Sequence, residues 1–191
     1  QAGVIFGLKN TAQMVASMVA LLLLPSLLKR FEKKTTLYWG IFFGLLATAL
    51  KYPCFTPEMP YLAILPYVFI GPTLSAVWAL LPSMMADVVD EDELECGSRR
   101  EGTFSACWQW AMKASAALGM ALSGFMLQAT GFDESLGGAQ SDETIAGIRI
   151  LIVLTPLFFY AGALYFTRRY PLDAKKMEDV EATLERRRGK L

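Results

Sequence analysis

The chain has 191 residues, 54% of them apolar and 19% charged; its 18 basic and 18 acidic residues cancel, and it contains no histidine. Zero net charge leaves no overall electrostatic case for nucleic acid or an acidic substrate, and the missing histidine removes imidazole acid–base chemistry and most zinc sites. The charges sit in blocks between long apolar runs, which is the pattern of a membrane protein.

Five apolar runs are expected to cross a bilayer as helices, at roughly 4–28, 37–50, 61–86, 102–130 and 145–167, with a charged tail at 171–191. A hydrocarbon core roughly 30 Å thick needs about 20 helical residues, so the second run is the shortest of the five. Lys29, Arg30, Lys33 and Lys34 follow the first run, and Arg99 and Arg100 precede the fourth. Arg168, Arg169, Lys175, Lys176, Arg186, Arg187, Arg188 and Lys190 follow the fifth, whereas the turns at 53–60 and 131–144 hold no lysine or arginine. The positive-inside rule then makes the basic set and the C-terminus cytoplasmic in a multi-pass plasma (inner) membrane protein, with the N-terminus outside. Gln1 opens almost directly into a span without signal-peptide architecture, so the chain is expected to be the C-terminal part of a longer protein. Cys54, Cys96 and Cys107 fall at different depths and give no disulfide framework. With no glycine-rich phosphate loop and no nucleophile elbow, an enzyme is not expected.

In the first run Lys9, Gln13 and Ser17 recur every four residues, with Asn10 beside them, and so share one helical face. Two readings stand: the face points into a bundle or aqueous cavity, or Lys9 and Asn10 snorkel to the external interface. In the third run Tyr67, Gly71, Ser75, Trp78 and Pro82 form one stripe, and Pro66, Pro72 and Pro82 each remove a backbone donor. This suits either a kinked, cavity-lining helix or an ordinary packing helix. Asp87, Asp90, Glu91, Asp92, Glu93 and Glu95 follow, then Gly97, Arg99, Arg100, Glu101 and Gly102. The segment lacks the ligand alternation and sixth-position glycine of a calcium loop, and no metal site is expected. It reads as a solvated polar turn, or as a salt-bridge latch in which Asp87 and Asp90 end one helix and Arg99 and Arg100 begin the next.

The fourth run holds the lone deep charge, Lys113, roughly 16 Å from the charged end of its helix. A lysine there costs at least about 2.5–3.5 kcal/mol, so it is expected to face a bundle interior, a cavity or a partner. Gln109 and Trp110 lie one turn away, an arrangement compatible with a hydroxylated ligand. Ser115, Gly119 and Ser123 repeat every four residues, as in close-packed helix pairs. The tail reads as a charged amphipathic helix over about 174–188, solvated and suited to a cytoplasmic membrane surface.

The stretch 82–132 resembles the glycoside-pentoside-hexuronide:cation symporter family, the melibiose-carrier-like branch of the major facilitator superfamily. The resemblance rests on Ala86-Asp87-Val88-Val89-Asp90, on Gly97-Ser98-Arg99-Arg100-Glu101-Gly102, on the intramembrane Lys113 and on Gly131-Phe132, in that order. It implies an all-α membrane fold in which the five runs are the last five helices of a twelve-helix bundle, whose halves rock around a central site. It further implies cation-coupled symport of a sugar, glycoside or uronide, with Trp78 packing on the solute and Lys113 serving binding and coupling. Gln109 and Trp110 would border the same cavity. Asp87, Asp90, Glu93, Arg99 and Arg100 would form a cytoplasmic gating network. The acidic run is denser than in the melibiose carriers, and a related branch moves lysolipids, so the solute stays open. The coupling cation, sodium or proton, is expected to bind mainly in N-terminal helices of the full-length protein, and no cofactor is expected. The implied partners are the bilayer, those helices, a small-molecule solute and the cation, with no nucleic acid. A non-transporting membrane subunit or a membrane enzyme is the alternative from another class.

Overall fold

The computed structural model describes residues 2–56 and 59–189. Gln1 and Lys190, used above for the start of the chain and the basic tail, lie outside the described residues, as do positions 57 and 58 of the 53–60 turn. The helices are α1 (Ala2–Leu28), α2 (Lys33–Cys54), α3 (Leu65–Cys96), α4 (Glu101–Ala129), α5 (Asp142–Arg169) and α6 (Ala174–Arg188), with one-turn helices at Pro60–Ile64 and Glu134–Leu136. Among the described residues there is no strand. Four segments, containing α1, α3, α4 and α5, are long and apolar enough to cross a membrane.

The remaining long helix, α2, is the hub of the packing. It has 22 residues and so a length of roughly 33 Å, longer than the 37–50 run suggested. Lys33 and Lys34 open it and Lys51 lies in its last turn, so its charges sit at the two ends. Between them Gly40, Gly44 and Thr48 form a small-residue seam of the kind that lets helix backbones approach closely. The Thr73 hydroxyl donates to the Gly40 carbonyl at 2.8 Å across the α2–α3 crossing. Leu37 and Ile41 close a core with Leu24, Ala76, Leu80 and Met84, and Tyr160 and Leu164 bring α5 against it.

The polar face of α1 is turned into the bundle, against α3. Ser17 donates to the Gly71 carbonyl at 3.1 Å, Ser75 donates back to the Ser17 carbonyl at 2.8 Å, and the Lys9 ammonium donates to the Tyr67 hydroxyl at 3.3 Å. Asn10 is exposed, so of this group only Lys9, Gln13 and Ser17 face inward. Gly71 permits the contact, since a Cβ there would lie 2.8 Å from backbone atoms of both Gln13 and Ser17.

Two expectations change. Among the described residues the small-residue stripe of α4 meets no close-packed partner: no α4 residue is buried, and a Cβ on Gly119 would find nothing within 4 Å. Ser115, Gly119 and Ser123 instead line a groove of about 800 Å³ facing α5, into which Lys51 of α2 also reaches. The tail helix α6 is not simply solvated. Leu172, Met177, Val180 and Leu184 are buried together, packed against Val88, Leu94 and Tyr170.

The seam yields a stability prediction. A Cβ on Gly40 would come within 2.5 Å of the Ala76 Cβ, and one on Gly44 within 2.8 Å of Thr73 and the Tyr160 ring. Gly40→Ala and Gly44→Ala should therefore each destabilise by about 1–3 kcal/mol through overpacking, whereas Gly119→Ala should not, as thermal unfolding in detergent would show.

Candidate functional site

The most heavily wired region lies where α3 emerges from the bundle. Its last ten residues include six acids, Asp87, Asp90, Glu91, Asp92, Glu93 and Glu95, at the end of the helix that already carries negative dipole charge. Such an end is stable only if cations converge on it, and they come from three elements. The Lys33 ammonium of α2 contacts both oxygens of Asp87, at 2.7 and 2.9 Å. Arg99 reaches Asp90 at 2.7 Å, Glu93 at 3.0 Å and Glu101 at 3.1 Å. Arg100 pairs with Asp92, and Lys176 of α6 with Glu91. Arg187, also on α6, donates to the Leu94 carbonyl at 2.9 Å, capping the helix dipole. Gly97, at φ +71°, ends α3 in the left-handed conformation that glycine adopts freely, and its N–H bonds to the Glu93 carbonyl.

Tyr170 ties the layers together. Its hydroxyl donates to the Met84 carbonyl at 3.1 Å, while its own carbonyl accepts from the Lys34 ammonium at 2.8 Å. Burial first, and then the nearby Asp87 and Glu91 carboxylates, push its phenol well above the usual tyrosine range, so it remains a neutral donor. Hydrogen bonds from Arg99 to Asp90, Glu101 and Glu93 hold its guanidinium more firmly charged than an isolated one.

This geometry revises the expected latch. Asp87 does not end a helix, since α3 continues to Cys96. Nor does it pair with an arginine: it is 7% exposed and held by Lys33. Asp90 and Glu93 do share Arg99, and Arg100 closes on Asp92, a residue the sequence reading had not singled out. Lys33, Lys34, Tyr170, Lys176 and Arg187 were missed as well. The signal for α6 was readable in the spacing of Met177, Val180 and Leu184, one apolar side of an otherwise charged helix.

The residues expected to meet a solute lie on open faces. Trp78 is 63% and Trp110 74% exposed, and Gln109 and Lys113 are exposed beside Trp110 on α4. The third-run stripe divides: Gly71 and Ser75 are buried against α1, while Trp78 and Pro82 stay open. Neither of the two large grooves, of about 800 and 900 Å³, is lined by Trp78, Gln109, Trp110 or Lys113. Gln109, Trp110 and Lys113 are thus neighbours on one helix surface, and α4 joins the rest of the bundle only sparsely.

A family model described as MFS/sugar transport protein matches residues 2–174. The chain belongs to that family. Among its relatives are an "Uncharacterized symporter" of Synechocystis sp., 36% identical over 63% of this chain and 23% of the relative, and a "Putative sulfoquinovose importer" of Salmonella typhimurium, 33% identical over 73% of this chain and 28% of the relative. A "Glucuronide carrier protein homolog" of Escherichia coli is 28% identical over 92% of this chain and 38% of the relative. The chain therefore spans well under half the length of these relatives. Its all-helical architecture with apolar spans fits part of a major facilitator bundle, and the MFS/sugar transport family is one of transporters, not enzymes.

The Lys33–Asp87 pair gives this site its clearest test. Lys33→Ala leaves a buried carboxylate without its cation and should destabilise the full-length protein by about 1–3 kcal/mol. Combining it with Asp87→Ala should recover most of that loss, and a thermal-unfolding double-mutant cycle measures the coupling.

Proposed function

We propose that the full-length protein is a secondary transporter that moves an acidic sugar, glycoside or uronide together with a cation by alternating access. The observation that carries this reading is Lys113, a deep cation flanked by Gln109 and Trp110 on an exposed face of α4, in a chain of the MFS/sugar transport family. A lysine held at that depth is best explained by an anionic or strongly hydrogen-bonding counterpart. The relatives named for a glucuronide and for sulfoquinovose support an acidic solute, since one compound class carries a carboxylate and the other a sulfonate. In this reading Lys113 binds the anionic group, the Trp78 and Trp110 rings pack on the sugar, and Gln109 bonds to its hydroxyls. The coupling cation, sodium or proton, binds mainly through helices beyond this chain.

The acidic end of α3 with its arginines serves as the gate. The basic residues clustered there make it the cytoplasmic end, and with it the C-terminus. Ion pairs bridging α2, α3, the 97–100 turn and α6 hold that end closed, and their rearrangement opens it.

Uptake of a panel of neutral and acidic sugars by proteoliposomes of the full-length protein, under separate sodium and proton gradients, tests the reading. One acidic sugar should accumulate under one gradient, and accumulation of none would sink it. Lys113→Ala should weaken binding of that solute about 10- to 100-fold, the loss expected for one charge-assisted hydrogen bond, with insertion into the membrane unchanged. Arg99→Ala should shift cysteine accessibility toward the inward-open state; an unaltered distribution would remove the gating role.

A further inference from the structure

The two ends of the bundle are wired in opposite ways. Around the end of α3, Lys33, Arg99, Arg100 and Lys176 each hold a carboxylate. At the other end, among the described residues, no carboxylate lies within ion-pair distance of Lys9, Lys51 or Arg149. All three are nevertheless half-buried. Lys9 rests 4.5 Å from the Phe6 ring centroid and 4.8 Å from that of Tyr67, whose hydroxyl it also bonds. Lys51, arriving from a different helix, lies 5.8 Å from the same Tyr67 centroid. Two ammonium groups therefore share one aromatic ring, at 4.8 and 5.8 Å from its centroid, and like charges so placed repel each other. A ring quadrupole satisfies an ammonium less well than an anion does.

Arg149 repeats the pattern one helix away. It donates to the Tyr52 carbonyl, next to Lys51, at 3.3 Å and lies 5.7 Å from the Tyr52 ring, while its buried Nε finds no hydrogen-bond partner among the described residues. Lys51 also enters the groove between α4 and α5, where among the described residues it is the one charged lining residue and the remaining polar lining is the hydroxyls of Ser115, Ser123 and Thr155. Among the described residues the groove thus offers a cation and hydroxyl donors, and no carboxylate to compete for them.

We propose that Lys9 and Lys51, joined through Tyr67 and neighboured by Arg149, form an oxyanion-binding site at the end of the bundle opposite the acidic cluster, open to the α4–α5 groove. Its ligand class is a carboxylate, sulfonate or phosphate, delivered by a free solute or by a lipid headgroup. The site is separate from Lys113 and stands whatever solute the protein carries. An anion seated between Lys9 and Lys51 would replace their repulsion with two attractions, so occupancy should stabilise the fold.

The experiment is thermal unfolding of the full-length protein with millimolar sulfate in neutral detergent, and in nanodiscs of phosphatidylglycerol against phosphatidylcholine. Concentrations stay below the range in which sulfate stabilises proteins by exclusion from their surfaces. Lys9→Gln, Lys51→Gln and, as a control on the tail, Lys175→Gln are compared with the unmodified protein. A rise of about 2–4 °C with sulfate, lost in Lys9→Gln and Lys51→Gln but kept in Lys175→Gln, establishes the site for free oxyanions. The same loss seen only with phosphatidylglycerol assigns it to the headgroup of an anionic lipid. An anion response that is absent, or equal in all three variants and the unmodified protein, overturns the proposal. The anion-dependent difference is the readout, so a variant with a changed baseline still reports.

Discussion

The charged end of the chain is organised by one electrostatic constraint: α3 finishes on a run of carboxylates at the end where its own dipole is already negative. Left alone, that segment would repel itself and fray. Its compensation is distributed over the chain. Lys33 comes from the start of α2, Arg99 and Arg100 from the turn that follows, and Lys176 and Arg187 from a helix more than 80 residues away. The exposed pairs are worth little one by one, because water screens them. Together with the buried stripe of α6 they fix where the tail lies, which charge alone would not do.

Within the bundle the governing term is proximity of backbones. Lipid offers no hydrophobic drive for helices to associate, so close packing and hydrogen bonds between helices must supply it. Gly40 and Gly44 bring α2 onto α3 and α5, and Gly71 brings α3 onto α1, and the α2–α3 and α1–α3 crossings each carry a hydroxyl-to-carbonyl bond close by. The serines and threonines do two things here, filling little space and bonding across the interface.

Much of this was legible before any coordinates. Charge blocks between apolar runs gave the membrane class, and four-residue spacing placed Lys9, Gln13 and Ser17 on one face and Gly71 and Ser75 on another. Sequence could not say that these two faces meet, because spacing orients a residue about its own helix axis and says nothing of the neighbour. It underestimated α2 because hydropathy stops at the first lysine, whereas a lysine at a helix end can extend to a carboxylate or to water and let the helix run on. Asp87 was paired with the arginines because they are near in sequence; its actual cation, Lys33, is 54 residues earlier. Trp78, Gln109, Trp110 and Lys113 stand on uncovered faces of α3 and α4, and no spacing rule carries that information.

That uncovered face has a mechanical consequence. Helix α4 is tethered to α3 by a short turn and to α5 by a longer loop, and buries none of its side chains, whereas α1, α2, α3 and α5 interlock through glycine contacts and a shared core. Turning or tilting α4 as a rod would therefore strip no apolar surface from a packed interior. The resistance to such a movement is concentrated at its tethers, above all in the grip of Arg99 and Arg100 on the acidic end of α3. A helix held by ionic contacts at one end and without a buried side chain along its length can shift at less packing cost than the helices that share the core.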